Sequence, residues 1–162
     1  DFARMPKPIL KDNNLIPLLK DNINLIKELD RSISINLNIN KEDIILNSDN
    51  EQLSRAFFNI IKNSFESIQE KRSNTHDFKG KIEISLNDNI SNINFIIIDN
   101  GLGFGVFKNN IKDILNPYFT TKKKGTGLGL AIVNKIINDH NGSIDFIPID
   151  NGAKIQVNFK KW

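Results

Sequence analysis

No cysteine occurs among the 162 residues, which excludes a disulfide framework, a thiolate metal site and a cysteine nucleophile. Aromatic residues make up only 8%, with a single Trp and a single Tyr, and no stacking platform for single-stranded nucleic acid is visible. An excess of one charge is also missing. The 22 Lys and Arg stand against 19 Asp and Glu, and scattered surface lysines account for the net +3, so no nucleic-acid partner is expected. Apolar runs such as Phe95 to Ile98 fall far short of the about 20 residues that a membrane span needs, and no secretory leader pattern opens the chain. What is present is an ordinary soluble composition, 39% hydrophobic and 25% charged, at a length suited to one domain.

Asp1 to Met5 reads as the tail of a helix stopped by Pro6 and Pro8, because proline removes a donor and turns the preceding residue out of the helical region. Residues 1–10 are therefore expected to end a preceding element and link it to a domain over 11–162. Leu15, Leu18, Leu19, Ile23, Ile26 and Leu29 recur at helical spacing, predicting a helix from Asn14 to Leu29 with Pro17 in its first turn. Ile33 to Ile39 alternate with polar residues as a half-buried strand, and Ile44 to Leu46 suggest a second short one. Leu53, Phe57, Ile60, Ile61, Ser64, Phe65 and Ile68 predict the strongest helix, from Asp49 to about Lys71, capped by Asp49 or Asn50.

After a polar loop over Ser73–Lys79, strands are expected at Ile82–Leu86 and Ile93–Ile98, the second central and covered on both faces. Residues 99–127 are rich in Gly, Asn and Lys with weak periodicity, and a long segment of that kind inside a compact domain is expected to be either functional or mobile. A helix over Leu128–Asp139 and strands near Ser143–Ile147 and Lys154–Phe159 complete the chain. Strands and helices mixed without strict alternation point to an α/β (α+β) two-layer sandwich, a mixed sheet with helices on one face.

Within that frame, Asn59 and Asn63 lie one helical turn apart on one face, where amide oxygens suit a hard cation or a phosphate-bound water; a plain polar helix face would look the same. Asp99-Asn100-Gly101-Leu102-Gly103 follows the apolar strand directly. A carboxylate there, beside glycines that admit close approach, suits recognition of a base amino group, although Asp-Asn-Gly is also a good turn sequence. Gly125-Thr126-Gly127-Leu128-Gly129-Leu130 runs into a helix, whose free N–H groups and dipole favour an anion; it is neither a Walker A loop nor a dinucleotide fingerprint. Between these lies Pro117-Tyr118-Phe119-Thr120-Thr121-Lys122-Lys123-Lys124, a basic stretch able to close over phosphates or to remain a solvated charge run.

In this order, the Asn helix, Asp-x-Gly-x-Gly, Phe-Thr-Thr-Lys and Gly-x-Gly-Leu-Gly-Leu resemble the N, G1, F and G2 boxes of the histidine-kinase ATP-binding domain. That domain belongs to the gyrase, Hsp90, histidine-kinase and MutL superfamily and has the Bergerat-type fold; the resemblance spans about residues 11–160. Asp1 to Pro8 is similar to the segment that enters this domain in NtrY-like nitrogen-regulation sensor kinases.

The resemblance implies ATP and Mg²⁺ as cofactors, with Asp99 accepting from the adenine amino group and Gly101 and Gly103 shaping the pocket. It implies Asn63 as the metal ligand, supported by Asn59, with Lys62 or Glu66 near phosphate. Thr126, Gly127, Leu128 and Gly129, leading into Leu130, would meet the phosphates, and Lys122 to Gly125 would form the lid. Phe119 would couple the lid to the neighbouring helical domain, and Thr120 and Thr121 after it would belong with the nucleotide-binding residues. The implied partners are the chain's own upstream dimerisation and histidine-phosphoacceptor domain and a response regulator. The implied parent is a homodimer anchored in the inner membrane through upstream segments, with this domain in the cytoplasm.

His76 in a polar loop and His140 at a helix end read as a surface residue and a helix C-terminal cation, so the chain is expected to bind Mg·ATP without phosphorylating itself. Where hydrolytic relatives and anti-sigma-factor serine kinases carry a Glu base one turn before the metal Asn, this sequence has Asn59, which takes no proton at neutral pH. That departure weighs against an ATPase or serine kinase. The intact Asn63, Asp99 and Gly127 weigh against a degenerate nucleotide-binding module.

Overall fold

The computed structural model describes residues 5–104 and 129–161. Strand β1 (Lys11–Asn14) leads without a loop into helix α1 (Leu15–Leu29), then come β2 (Ser34–Ile39) and β3 (Ile45–Ser48). Helix α2 (Asn50–Asn74), strands β4 (Lys81–Asp88) and β5 (Asn92–Asp99), helix α3 (Gly129–Asp139) and strands β6 (Gly142–Ile149) and β7 (Gly152–Lys160) follow. β1 has no apolar alternation and was not foreseen; it exists through its antiparallel pairing with β3. Pro17 occupies the first turn of α1, where its missing N–H has no helical partner to lose, and the Asn14 side chain accepts from the Ile16 N–H at 3.2 Å.

The main sheet has the order β2-β4-β5-β7-β6, in which β2 and β4 are parallel, with α2 in the connection between them, and every other pair is antiparallel. Ile93, Phe95 and Ile97 of β5 lie buried under the helices, and α2 is keyed onto the sheet by Phe57, 4.8 Å from the Phe95 ring and 6.5 Å from Phe159. The expectation that β5 is covered on both faces is corrected here. Asn94 pairs with Asn158 at 2.6 Å on the opposite face, and Ile98 there is 37% exposed. With helices on one side only, an antiparallel sheet needs apolar residues only at alternate positions, and the extra isoleucines of β5 stand on the open side.

One residue ties three distant segments together. The Asp49 side chain caps α2 by accepting from the Gln52 N–H at 3.1 Å, and its other oxygen accepts from the Ile9 N–H at 2.9 Å. Its own N–H donates to Nε2 of His140, just past the end of α3, at 3.0 Å. His140 is 5% exposed and its Nδ1 lies 2.7 Å from the Ile136 carbonyl. Both ring nitrogens are therefore engaged, one against the Asp49 N–H and the other against the Ile136 carbonyl. His140 is thus a buried structural bridge between α3 and the start of α2, a role that its place at a helix end did not suggest.

Replacing Asp49 by Ala should lower stability by about 1–2 kcal/mol, the usual worth of a helix cap, in urea unfolding at pH 7. The Ile9 N–H, above all, holds this carboxyl below the ordinary carboxylate range, so its contribution is present at neutral pH and fades as pH falls through the lowered value. The gap between D49A and the unsubstituted chain should accordingly close on acidification.

Candidate functional site

The inward-facing positions of β5 end on a charge. Asp99 takes the place that alternation reserves for an apolar residue and is 5% exposed. Burial pushes its carboxyl above the usual range, opposed by the Gly101 N–H at 2.9 Å, the Ser64 hydroxyl and the positive charge of Lys71. A buried carboxylate with so few donors retains lone-pair capacity for a further one.

The turn that follows is held on every side. Asn100 staples it to the start of β4, its Oδ1 accepting from the Lys81 N–H at 2.8 Å and its Nδ2 donating to the Lys79 carbonyl at 2.9 Å. Gly101 lies so close to α2 that a Cβ would come within 2.4 Å of Ser67 Oγ and 2.8 Å of the Ser67 carbonyl carbon. The Leu102 N–H donates to the same hydroxyl at 2.9 Å. Gly103 has φ +80, the left-handed region that favours glycine. From the other side Gly152 presses on the strand end, where a Cβ would fall 1.9 Å from the Asp99 carbonyl oxygen. Beyond this clamp opens a cleft of about 600 Å³, bounded by Lys71, by the turn from Gly101 to Phe104, and by the β6–β7 hairpin from Pro148 to Gly152.

Of the residues expected at the site, Asn59 and Asn63 occupy successive turns of α2, both half-buried. Ser64, next to Asn63, bonds Asp99, so the Asn-bearing stretch of α2 and the end of β5 meet. Lys62 points to solvent, while Glu66 is half-buried. Gly129 opens α3 in an exposed position, Leu130 packs against the core, and α3 lies beside α2. Phe119, Thr120, Thr121, Lys122, Gly125, Thr126, Gly127 and Leu128 lie outside the described residues.

Sequence reading missed Ser67, Lys71 and Gly152 and took Ser64 for an ordinary core position. A signal was present: small hydroxyl residues inside the apolar stripe of Ile60, Ile61 and Ile68 mark where a helix admits another backbone. For Gly152 the signal was its place after Asp150-Asn151, a turn between alternating strands.

Residues 48–161 match the family of histidine kinase-, DNA gyrase B- and HSP90-like ATPases. The chain belongs to that family. Within it, the chain is 33% identical to the nitrogen regulation protein NtrY of Azorhizobium caulinodans, across 98% of this chain and 20% of that protein. An NtrY-like sensor histidine kinase of Rickettsia felis is also 33% identical, across 98% of this chain and 25% of its own length. The chain thus spans a fifth to a quarter of the curated relatives it matches.

Among solved structures, the catalytic domain of histidine kinase ThkA superimposes with a TM-score of 0.78 at 27% identity, over 94% of this chain and 96% of that one. ThkA in complex with the response regulator TrrA shares the fold, with a TM-score of 0.76 at 23% identity, over 96% of this chain and 42% of that one. Sequence and fold together place this ATPase-family chain among the ATP-binding catalytic domains of the histidine-kinase type. The two-layer arrangement and the Bergerat-type fold expected from the sequence are the ones found.

Because burial raises the Asp99 carboxyl, the folded state holds a proton that the unfolded chain gives up, and stability falls as pH rises through that window. Asp99→Asn removes the buried charge, and its Oδ1 still accepts from the Gly101 N–H. Its urea midpoint at pH 7 should be no lower than that of the unsubstituted chain. Any advantage should shrink as pH is lowered.

Proposed function

We propose that this domain binds Mg·ATP in the cleft beside Asp99 and donates the γ-phosphoryl group to a histidine on a helical domain upstream of it. Relay to a response-regulator aspartate would follow, in a dimeric, membrane-anchored parent concerned with nitrogen regulation. The observation that carries the reading is the buried carboxylate at the end of β5, held between α2 and the β6–β7 hairpin and followed directly by the Gly101–Phe104 turn that bounds an open cleft. An exocyclic amino group docking there satisfies a charge that the fold otherwise buries at a loss.

In phosphoryl transfer a protein mainly positions groups and neutralises charge. Asp99 fixes the base, Gly101 and Gly103 leave room for it, and the backbone from Thr126 through Gly129 into Leu130 is assigned to the phosphates by its motif. Lys122 to Gly125 are assigned to the lid. Phe119 is assigned by its motif to the coupling of the lid to the helical domain, and Thr120 and Thr121 to the nucleotide-binding stretch. Asn63 offers a neutral amide oxygen, with Asn59 one turn before it, which suits Mg²⁺: that ion keeps most of its water and takes few protein ligands when phosphates supply the rest. Among the described residues no cluster of three or more His, Cys, Asp or Glu forms a protein-only metal cage, so a metal here would arrive with the polyphosphate. When bound, the ion neutralises charge between the phosphates.

The phosphoacceptor belongs elsewhere on this reading. Both ring nitrogens of His140 are engaged in the interior, and His76 is an exposed residue facing Asp77 at 3.4 Å, beyond the end of α2. Asn59 supplies no base to activate water, so transfer is favoured over hydrolysis. Residues 1–10 are assigned to the link with the helical domain.

Calorimetry tests the core of the proposal. Mg·ATP should bind the unsubstituted chain, and D99N should bind at least about tenfold more weakly, the loss expected for a charge-assisted hydrogen bond. A histidine-bearing helical hairpin supplied in trans should acquire label from γ-labelled ATP, while the domain alone stays unlabelled. Unchanged affinity in D99N would overturn the base assignment.

A further inference from the structure

Lys71 lies two helical turns beyond Asn63 on α2, outside every motif that suggested the function. Its ammonium donates to the Asn100 carbonyl at 3.0 Å and to the Gly101 carbonyl at 3.4 Å. It stands 4.8 Å from the centroid of the Phe78 ring, so aromatic surface backs it on one side while the cleft lies on another. An ammonium bonded to the two carbonyls directly after Asp99 does more than decorate the rim. It neutralises the negative ends of two peptide dipoles that the turn aims inward, and it draws the turn against the helix at the place where Gly101 leaves no room for a Cβ.

We propose that Lys71 is a positioning residue for the nucleotide base: it holds the Asp99–Gly103 turn against α2 and keeps the Asp99 carboxyl in the form that accepts a hydrogen bond. This deepens the reading of Asp99 as the adenine acceptor and rests on it. The surroundings of Asp99 fit the assignment. From α2 it meets the Ser64 hydroxyl and the field of Lys71, and from its own turn the Gly101 N–H. At the start of β4, Lys81 is directed to Glu83 at 3.3 Å. Asp150, on the hairpin wall of the cleft, is exposed to water, and Glu66 stands half-buried one turn before Lys71 on α2.

Taking the Lys71 charge away leaves burial less opposed, so the carboxyl moves further up and protonates sooner as pH falls. Lys71→Met keeps the apolar stem against Phe78 and removes the charge. Lys71→Arg keeps the charge and the donors.

The experiment measures the affinity of Mg·ADP by calorimetry from pH 5 to pH 8 for the unsubstituted chain, K71M, K71R and D99N; comparing variants cancels the nucleotide's own titration. K71M should bind about tenfold more weakly at pH 7, with its acid-side loss of affinity moved to higher pH, and K71R should restore both. If K71M fails to fold, as judged by its urea midpoint, Lys71→Gln takes its place with the same expectation. Unchanged affinity in K71M, or failure of K71R to restore it, would overturn the positioning role while leaving the base reading intact. Unchanged affinity in D99N would instead overturn the base reading, and this inference with it.

Discussion

The site depends on how closely two backbones approach. At Gly101 the turn after β5 touches α2, and at Gly152 the β6–β7 hairpin touches the end of β5, in both places nearer than a Cβ allows. Those contacts keep Asp99 buried rather than on the surface, and they bring the Asn-bearing turns of α2 beside it. Ser64 and Ser67 make the approach tolerable by offering hydroxyls to the carboxylate and to the Leu102 N–H, so polar groups brought into the interface find partners.

Burying a carboxylate works against the fold, and the molecule shows where it is offset. Phe57 locks α2 to β5 and β7, a core of isoleucines, leucines and phenylalanines surrounds the contact, and Asn100 and Lys71 brace the turn from the outside. Strain against stability concentrated at one residue, with rigid support around it, is the pattern expected of a recognition site. The helix carrying the site is also bonded at its other end. Through Asp49 the start of α2 is tied to the segment before β1 and, by way of His140, to the end of α3. Helices α2 and α3 therefore share one junction with the segment before β1.

Much of this was legible in the residues. The helical spacing in α1 and α2, the alternation in β2 and β4, and the cap at Asp49 are local signals, and each of these elements formed as its pattern implied. Asp99-Asn100-Gly101-Leu102-Gly103 could be singled out because a carboxylate and two glycines at the end of an apolar strand are locally unusual. The failures were of another kind. β1 exists only through β3, the open side of β5 is decided by what packs above it, and His140 reads as a helix-end group until Asp49 is seen against it.

The sequence by itself determined the elements, the order of the motifs and the chemistry of the groups involved, because periodicity, capping and side-chain type are properties of neighbouring residues. Only the tertiary structure decided that Asp99 is buried, that Ser64, Ser67 and Lys71 surround its turn, and that Gly152 closes over it. Those facts depend on contacts between residues tens of positions apart, and such contacts arise only when the sheet order and the seat of α2 upon it are set by packing the whole core.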